Sequence, residues 1–256
     1  MKTVETEKIL DYRVANVGVA SCVDSIVEWV KNGDRCRWLA CINPHTYVVS
    51  LSDDALSTAL NEADWLIPDG VGIVLASRFL GGRIRERVTG SDIFRRVQDK
   101  LNLLGGASVF FLGSTDETLA AIRDRMAVDY PNVRIAGTYS PPFKSVFSDE
   151  DNKLIVEAIN TAAPDVLWVG MTAPKQEKWI YQNLNQLNVK FAGAIGAVFD
   201  FYAGRIKRSN PLFQRLGLEW LPRMIQEPRR LWRRMFVSAP IFMWHVVHSA
   251  VLKKHK

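Results

Sequence analysis

The sequence predicts an α/β fold, a Rossmann-like and mostly parallel sheet flanked by helices, with a basic helical appendage at its C-terminal end. Short apolar runs rich in β-branched and aromatic residues recur along the chain, and longer amphipathic segments separate them. Charge divides the same chain in two. Residues 205–256 carry a net charge of +10 within a total of +6, which leaves −4 for residues 1–204. We therefore predict a slightly acidic body, residues 1–204, and a basic appendage, residues 205–256.

Length and composition are typical of a folded intracellular protein. The 256 residues are 48% hydrophobic, which suffices for one large or two small domains with a core and argues against a disordered chain. The three cysteines lack zinc-ligand spacing, and we expect reduced, cytosolic thiols. The polar first residues lack the apolar run of a secretory signal, so we expect the body to stay inside the cell.

Six apolar runs are predicted to be the strands of the sheet. In the clearest unit a strand ends at Gly113, Ser114 or Thr115 caps the next helix, and that helix runs to about Asp129. The six runs are "RWLACI" (37–42), "DWLIP" (64–68), "ASVFFLG" (107–113), "RIAGTY" (134–139), "DVLWVGM" (165–171) and "KFAGAIG" (190–196).

Polar and glycine-rich residues follow the predicted strands. Ligands of open parallel sheets bind beyond the carboxyl ends of the strands, so these loops are expected to converge on one cleft. Turn formation alone is the alternative, because glycine and proline make the turns of any such fold. The residues concerned are Asn43, Asp69, Gly113, Tyr139, residues 170–177 and residues 193–204, which include Asp200.

Asp69 lies between a predicted strand, "WLIP", and the predicted helix that starts in "GVGIV". A carboxylate at such a place can take a proton from a substrate hydroxyl. Aspartate is also a frequent helix N-cap, so a purely structural role is the alternative.

Cationic and amide side chains are available near the same predicted cleft. Arg87 could form a bidentate contact with a diphosphate, and a salt bridge to Glu86 or Asp92 is its alternative. Lys175 and Gln176 begin a predicted helix, where free backbone N–H groups favour anions.

The motifs do not predict a cofactor or a metal site. The glycine-rich segment at 193–204 lacks the third glycine and the downstream acid of a dinucleotide fingerprint, and no Walker lysine motif occurs. The "DED" at 149–151 formally matches the D-x-D of metal-bound nucleotide sugars, but we place it in a solvated polar loop, residues 147–153, and discount it.

The appendage combines aromatic and basic residues with an apolar segment. Tryptophans and arginines alternate up to Arg234, and residues 235–252 then contain no formal charge. At 18 residues with a proline, this segment is short for a membrane span and favours an interfacial helix. A helix packed on the body or on a neighbouring subunit is the alternative.

Eight ordered blocks of the sequence resemble the WecG/TagA/CpsF glycosyltransferase family, glycosyltransferase family 26. They extend over residues 14–245. The blocks are Asn43, "DG" (69–70), "RERVTG" (85–90), "FFLGS" (110–114), "GTYSPPF" (137–143), "PDVLWVGMTAPKQE" (164–177), "GAIGAVFDFYAGRIKRSN" (193–210) and "GLEWLPRMIQEPRRLWRR" (217–234).

The resemblance implies inverting, metal-independent transfer of a sugar from a UDP-sugar to a polyprenyl-diphosphate-linked sugar at the inner face of the cytoplasmic membrane. The donor sugar would be N-acetylmannosamine, its uronic acid or glucose. By position, Asp69 is implied as the general base, with Asn43 beside it. Cys41 stands where family members often carry threonine. The remaining implied contacts are Arg87 and Gln176 to the donor or a diphosphate, and Arg223, Arg230 and Arg233 of the appendage to the leaving UDP or the acceptor diphosphate.

Two other classes of function remain open at this point. A non-catalytic membrane- or nucleic-acid-binding module would use the Trp and Arg residues of the appendage for stacking and phosphate contacts. A sugar-nucleotide epimerase would need a redox-cofactor loop or a suitable acid–base pair, and the incomplete glycine fingerprint does not supply the loop. We favour the transferase, with no nucleic-acid partner, and leave self-association open.

Overall fold

The structure, a computed structural model, describes residues 5–206 and 232–254. The strands are β1 Thr6–Ile9, β2 Tyr12–Ala15, β3 Arg37–Ile42, β4 Trp65–Pro68, β5 Ser108–Gly113, β6 Arg134–Tyr139, β7 Val166–Gly170 and β8 Phe191–Ala194. The α-helices are α1 Val19–Asn32, α2 Pro44–Ser50, α3 Asp54–Asn61, α4 Val71–Phe79, α5 Gly90–Leu104, α6 Asp116–Asp129, α7 Asp149–Ala162, α8 Lys175–Asn183, α9 Val198–Tyr202 and α10 Ala239–Lys254.

The predicted α/β fold is confirmed. Six strands form one parallel sheet in the order β4-β3-β8-β7-β5-β6, and each of them corresponds to one of the predicted apolar runs. The residues of β4, β5 and β8 are all buried, as expected for a parallel sheet covered by helices on both faces. Two hydrophobic clusters, one on each face, enclose the sheet.

Two strands that are far apart in the sequence pair with each other in the middle of the sheet. β3, the first strand of the sheet in the chain, pairs with β8, the last. Beside this pair, a Cβ added at Gly193 would lie 2.5 Å from the Trp168 ring, so only glycine lets that ring pack on β8. The central location of β3 and β8 brings distant loops to one edge of the sheet.

Two local predictions need correction. The hairpin of β1 and β2 was not predicted, and its strands pair antiparallel, apart from the main sheet. The predicted loop at 147–153 is wrong, because Ser148 and Asp151 form a capping box that starts α7. Ile155 and Ile159 then bury one side of that helix. The acidic residues of "DED" form the first turn of α7, where the helix dipole favours negative charge.

The C-terminal helix packs on the body by one narrow stripe. A π-helical turn, Arg233–Ser238, leads into α10, which contacts α2 and α4. Ser238, Phe242 and Val246 are its buried residues. The Phe242 ring lies edge-on to Tyr47 of α2, with 5.3 Å between ring centroids. The alternative that residues 235–252 pack on the body is therefore correct for Ser238, Phe242 and Val246.

Polar contacts reinforce this docking. The Ser238 hydroxyl lies 2.9 Å from His45 Nδ1, and the Tyr47 hydroxyl lies 3.2 Å from His245 Nδ1. Up to Leu252, most of the other side chains of α10 are apolar and exposed. By length and composition alone, the helical segment Arg233–Leu252 could cross a membrane, and 17% of it is buried.

Candidate active site

A cleft of about 680 Å³ opens at the carboxyl ends of the parallel strands. A larger cavity, about 770 Å³, lies beside α7 and α8 and contains none of the predicted site residues. We assign the site to the first cleft, because the strand ends are where such folds bind ligands. Its lining includes Asn43, Asp69, Arg87, Lys175, Gln176 and Asp200, together with Thr89–Asp92, Ser114, Thr115 and residues 141–145.

Asp69 is held at the end of β4 by its backbone. Its N–H donates to the Ile42 carbonyl at 2.9 Å, which continues the pairing of β3 and β4 by one residue. Gly70, with φ of 100°, occupies the N-cap position of α4. The N-cap alternative for Asp69 is therefore wrong, and its carboxylate lines the cleft.

Arg87 is brought beside the end of β4 by a backbone hydrogen bond. The Val88 N–H donates to the Pro68 carbonyl at 3.0 Å, so the segments that carry Arg87 and Asp69 run next to each other. Asp92, one of the alternative partners of Arg87, accepts a 2.6 Å hydrogen bond from the Thr89 hydroxyl and forms a capping box with it. The start of α5 therefore forms part of the same wall of the cleft as Arg87.

Asn43 has a structural role at the edge of the cleft. Its Oδ1 accepts from the N–H groups of His45 and Thr46, at 3.0 Å each, and so caps α2. The same helix receives the C-terminal helix at His45 and Tyr47. Asn43 thus links the cleft wall to the element on which α10 docks.

Gln176 is buried, and both ends of its amide are engaged. Oε1 accepts from the Gly196 N–H at 3.0 Å, and Nε2 donates to Glu177 Oε1 at 2.8 Å. The side chain therefore fixes the loop after β8. The structure thus gives Gln176 a positioning role that the sequence did not predict.

Glu177 is a residue of the cleft that sequence reasoning missed. It is 1% exposed, and its Oε2 has no hydrogen-bond partner among the described residues. Burial raises the pKa of its carboxyl above the ordinary value of 4.5, and the hydrogen bond from Gln176 opposes this only in part. In the sequence it is an acid in the first turn of a helix, a position that normally predicts an exposed, ionised carboxylate.

The Glu177→Gln variant is expected to be more stable than the unaltered protein at neutral pH. Because the pKa of Glu177 is higher in the folded protein than in the unfolded one, the protonated carboxyl contributes its full stabilisation of the fold below about pH 4.5. This stabilisation is lost as the pH rises through the pKa that Glu177 has in the folded protein. Each unit by which the pKa of Glu177 in the folded protein exceeds its pKa in the unfolded protein lowers the free energy of unfolding by about 1.4 kcal/mol at high pH. Urea unfolding from pH 4 to pH 8 measures this, with the exposed Glu157→Gln as control. If the difference in the free energy of unfolding between the variant and the unaltered protein is the same at every pH, the prediction is contradicted.

Lys175 is engaged with the loop that borders the cleft. Its Nζ donates to the Lys144 carbonyl at 2.6 Å and lies 3.5 Å from the centroid of the Phe147 ring. Burial lowers the pKa of its ammonium, and the charge of Asp151 opposes that shift. Lys175 therefore holds residues 144–147 against α8 while it lines the cleft.

The prediction that Gly113 and Tyr139 bind substrate needs correction, because neither is among the described residues that line the cleft. A Cβ at Gly113, whose φ is 118°, would lie 2.6 Å from the Gly170 carbonyl oxygen, so glycine is required where β5 and β7 end. Tyr139, the last residue of β6, packs against the hydrophobic core. Ser114, the residue after Gly113, and Pro141, two residues after Tyr139, line the cleft instead.

The appendage contributes Arg234 to the described lining. Arg234 stands four residues before the buried Ser238, on the side of the helix that faces the body, whereas Arg233 is exposed. Of the three predicted appendage arginines, Arg223 and Arg230 lie outside the described residues. Helix register, which the sequence does not specify here, decides which of the two adjacent arginines faces the cleft.

Cys41 lies within the cleft as a neutral thiol. Its Sγ donates to the Ala194 carbonyl at 3.7 Å, a bond that joins β3 to β8. Burial raises the pKa of this thiol well above its ordinary value, and the negative charges of Asp69 and Glu177 add to the effect. The side chain is therefore a weak donor and not a nucleophile.

The cleft thus combines a carboxylate with several cations and a helix N-terminus. Asp69 can accept a proton, and Arg87 together with the start of α5 can stabilise an anion in the same cleft. Within residues 5–206 and 232–254, no group of three or more His, Cys, Asp or Glu side chains is arranged to hold a metal ion.

Comparison with known proteins places the chain among glycosyltransferases. A family model described as "Glycosyl transferase WecG/TagA/CpsF family" matches residues 7–256. Three relatives share the name N-acetylglucosaminyldiphosphoundecaprenol N-acetyl-beta-D-mannosaminyltransferase. The protein of Bacillus subtilis (strain 168) is 28% identical over 98% of this chain and 94% of its own length. The protein of Bacillus spizizenii (strain ATCC 23059 / NRRL B-14472 / W23) is 30% identical over 99% of this chain and 93% of its own length. The protein of Staphylococcus aureus (strain MW2) is 28% identical over 94% of this chain and 92% of its own length.

Proposed function

Because the chain belongs to the WecG/TagA/CpsF glycosyltransferase family, we propose that it transfers a hexose from a UDP-sugar to a sugar carried on a polyprenyl diphosphate. N-acetylmannosamine is the first candidate for the donor sugar, since the named relatives are N-acetylmannosaminyltransferases that act on an undecaprenyl-diphosphate-linked N-acetylglucosamine. The observation that carries the proposal is the location of Asp69 and Arg87 on neighbouring segments of one cleft.

In the proposed reaction Asp69 removes the proton from the acceptor hydroxyl. The resulting oxygen nucleophile attacks the anomeric carbon from the face opposite the leaving group, which inverts the configuration at that carbon. The bond between that carbon and the diphosphate oxygen breaks, and UDP departs with the electron pair. A base on one side and a cation on the other are therefore the minimum that the cleft must supply.

Arg87 and the N-terminal turn of α5 are suited to the departing diphosphate. The guanidinium can donate two parallel hydrogen bonds to phosphate oxygens, and the first backbone N–H groups of a 15-residue helix add a favourable dipole. Arg234, in the π-helical turn that leads into α10, adds a second guanidinium to the same cleft. We infer that these cations replace the metal ion that other transferases use at a diphosphate.

The appendage connects this chemistry to a membrane in the proposed function. α10 docks on α2, the helix that Asn43 caps at the edge of the cleft, and leaves most of its apolar side chains exposed. A lipid-linked acceptor requires the enzyme to work at a bilayer, and a basic, apolar helix suits that location. We therefore propose peripheral attachment at the cytoplasmic face of the membrane. A non-catalytic module, the alternative from sequence, has no need of a cleft in the body, and the cleft of about 680 Å³ at the strand ends therefore favours the transferase.

A panel of donors tests the proposed transfer. The unaltered protein is incubated with a short-chain polyprenyl-diphosphate N-acetylglucosamine and, separately, with UDP-linked N-acetylmannosamine, N-acetylmannosaminuronic acid and glucose, each with and without EDTA. We expect UDP release and a glycosylated lipid with one donor, fastest with UDP-N-acetylmannosamine, and no loss of rate in EDTA. Release of UDP without a glycosylated lipid, or no release from any donor, would contradict the proposal.

A further inference from the structure

Helix α4 leaves an apolar stripe exposed next to the cleft. The helix begins at Val71, two residues after Asp69, and its side chains Val71, Leu75 and Phe79 are 43%, 50% and 57% exposed. Their spacing of four residues places them on one side of the helix, opposite the side that packs on the core. We call these three residues the α4 stripe. Three large apolar side chains exposed in a row on a nine-residue helix are a candidate contact surface.

The α4 stripe lies beside a second apolar surface. α10 contacts α4, and α10 is apolar around most of its circumference, a pattern typical of a helix in contact with lipid or buried in a core. Little of it is buried. Its exposed apolar side chains include Ile241, Met243, Trp244, Val247, Val251 and Leu252.

Basic residues border the stripe. Arg78 is exposed and lies three residues after Leu75, hence on the same side of α4. Arg83, 79% exposed, and Arg85 follow in the loop after the helix. The carboxylates next to them are the exposed Glu86 and Glu5, which pairs with Arg83 at 3.6 Å, and the half-buried Glu7, which accepts from the Ile84 N–H at 3.2 Å and so faces the backbone of this loop. Apolar residues flanked by arginines are typical of a helix that lies at the surface of an anionic membrane.

We propose that the α4 stripe is a lipid-contacting surface, which together with α10 seats the body on an anionic membrane with the mouth of the cleft at headgroup level. The inference rests on the proposed function, because the diphosphate of a polyprenyl-linked acceptor lies among the headgroups. Since α4 starts two residues after Asp69, contact along α4 brings the base to that level. A second copy of the chain is the less favoured occupant, because two-fold pairing would oppose the basic border to itself.

The test compares two double variants of the full-length protein. Leu75→Gln/Phe79→Gln removes most of the stripe, and Leu103→Gln/Val128→Gln removes two apolar side chains, 82% and 80% exposed, from α5 and α6. Binding is measured by co-sedimentation with vesicles of equal parts phosphatidylcholine and phosphatidylglycerol. We expect the stripe variant to partition at least about tenfold more weakly and the control to bind as the unaltered protein does. Phe79→Gln alone replaces the stripe variant if thermal unfolding shows that the double variant is destabilised.

Activity separates this inference from the proposed function. We expect the stripe variant to glycosylate a water-soluble, short-chain acceptor at the unaltered rate, and to lose activity on a long-chain acceptor in vesicles in proportion to its loss of binding. Equal vesicle binding by both double variants overturns the inference. So does a dimer, seen by sedimentation velocity, that becomes a monomer in the stripe variant alone, since that assigns the stripe to a second copy. If the unaltered protein glycosylates neither acceptor, the proposed function fails while the vesicle measurement still decides the inference.

Discussion

The Asp69→Asn variant is expected to lose about 10³-fold in kcat, within the range of 10²- to 10⁴-fold that a positioned general base contributes. Asparagine has nearly the shape of aspartate, but its amide cannot accept the proton of the acceptor hydroxyl. The backbone contact that places residue 69, its N–H to the Ile42 carbonyl, does not involve the side chain and persists in the variant. KM for the donor should therefore change little. Initial rates of UDP release at saturating donor and acceptor measure the effect.

Two controls show whether the loss at Asp69 is chemical. Asp124→Asn removes one carboxylate from the exposed side of α6 and should leave kcat unchanged. Thermal unfolding of Asp69→Asn is measured alongside, so that a loss of folded protein is distinguished from a loss of chemistry. If Asp69→Asn retains a kcat within about threefold of the unaltered enzyme, Asp69 is not the base, and the proton must be removed by another group or by water.

The Arg87→Ala variant is expected to lose about 10²- to 10³-fold in kcat/KM, which is the usual cost of removing one donor that stabilises charge in the transition state. The reason is that charge grows on the departing diphosphate as its bond to the sugar breaks, and the start of α5 and Arg234 remain to compensate only in part. Steady-state kinetics with the preferred donor measure the change.

Graded substitutions make the result at Arg87 specific. Arg87→Lys keeps the charge but not the planar pair of donors, so we expect an activity between those of Arg87→Ala and the unaltered enzyme. Arg123→Ala, on the exposed side of α6, removes an equal charge far from the described lining of the cleft and should have no effect. An Arg87→Ala variant as active as Arg123→Ala would exclude Arg87 from transition-state stabilisation.

Periodicity was sufficient to predict the sheet, and local chemistry at helix ends was harder to predict. The buried runs of β5 and β7 consist almost entirely of apolar residues, which a parallel sheet requires. The polar "SDED" segment misled the prediction at α7, because capping residues and loop residues have the same composition. The difference lies in Ile155 and Ile159, whose spacing indicates a buried helix side.

The sequence by itself determined the α/β class, the six strands of the sheet and the placement of Asn43, Asp69, Lys175, Gln176 and Asp200 in one cleft, although Gly113 and Tyr139, predicted for that cleft on the same grounds, are not among its lining residues. It could do so because the carboxyl ends of parallel strands share one edge. Only the tertiary structure decided that Gly70 takes the cap position near Asp69, that Gln176 bonds Gly196 and the buried Glu177, and that Arg234 faces the cleft. These features depend on side-chain direction and on contacts between segments far apart in the chain, which a one-dimensional pattern of polarity does not encode.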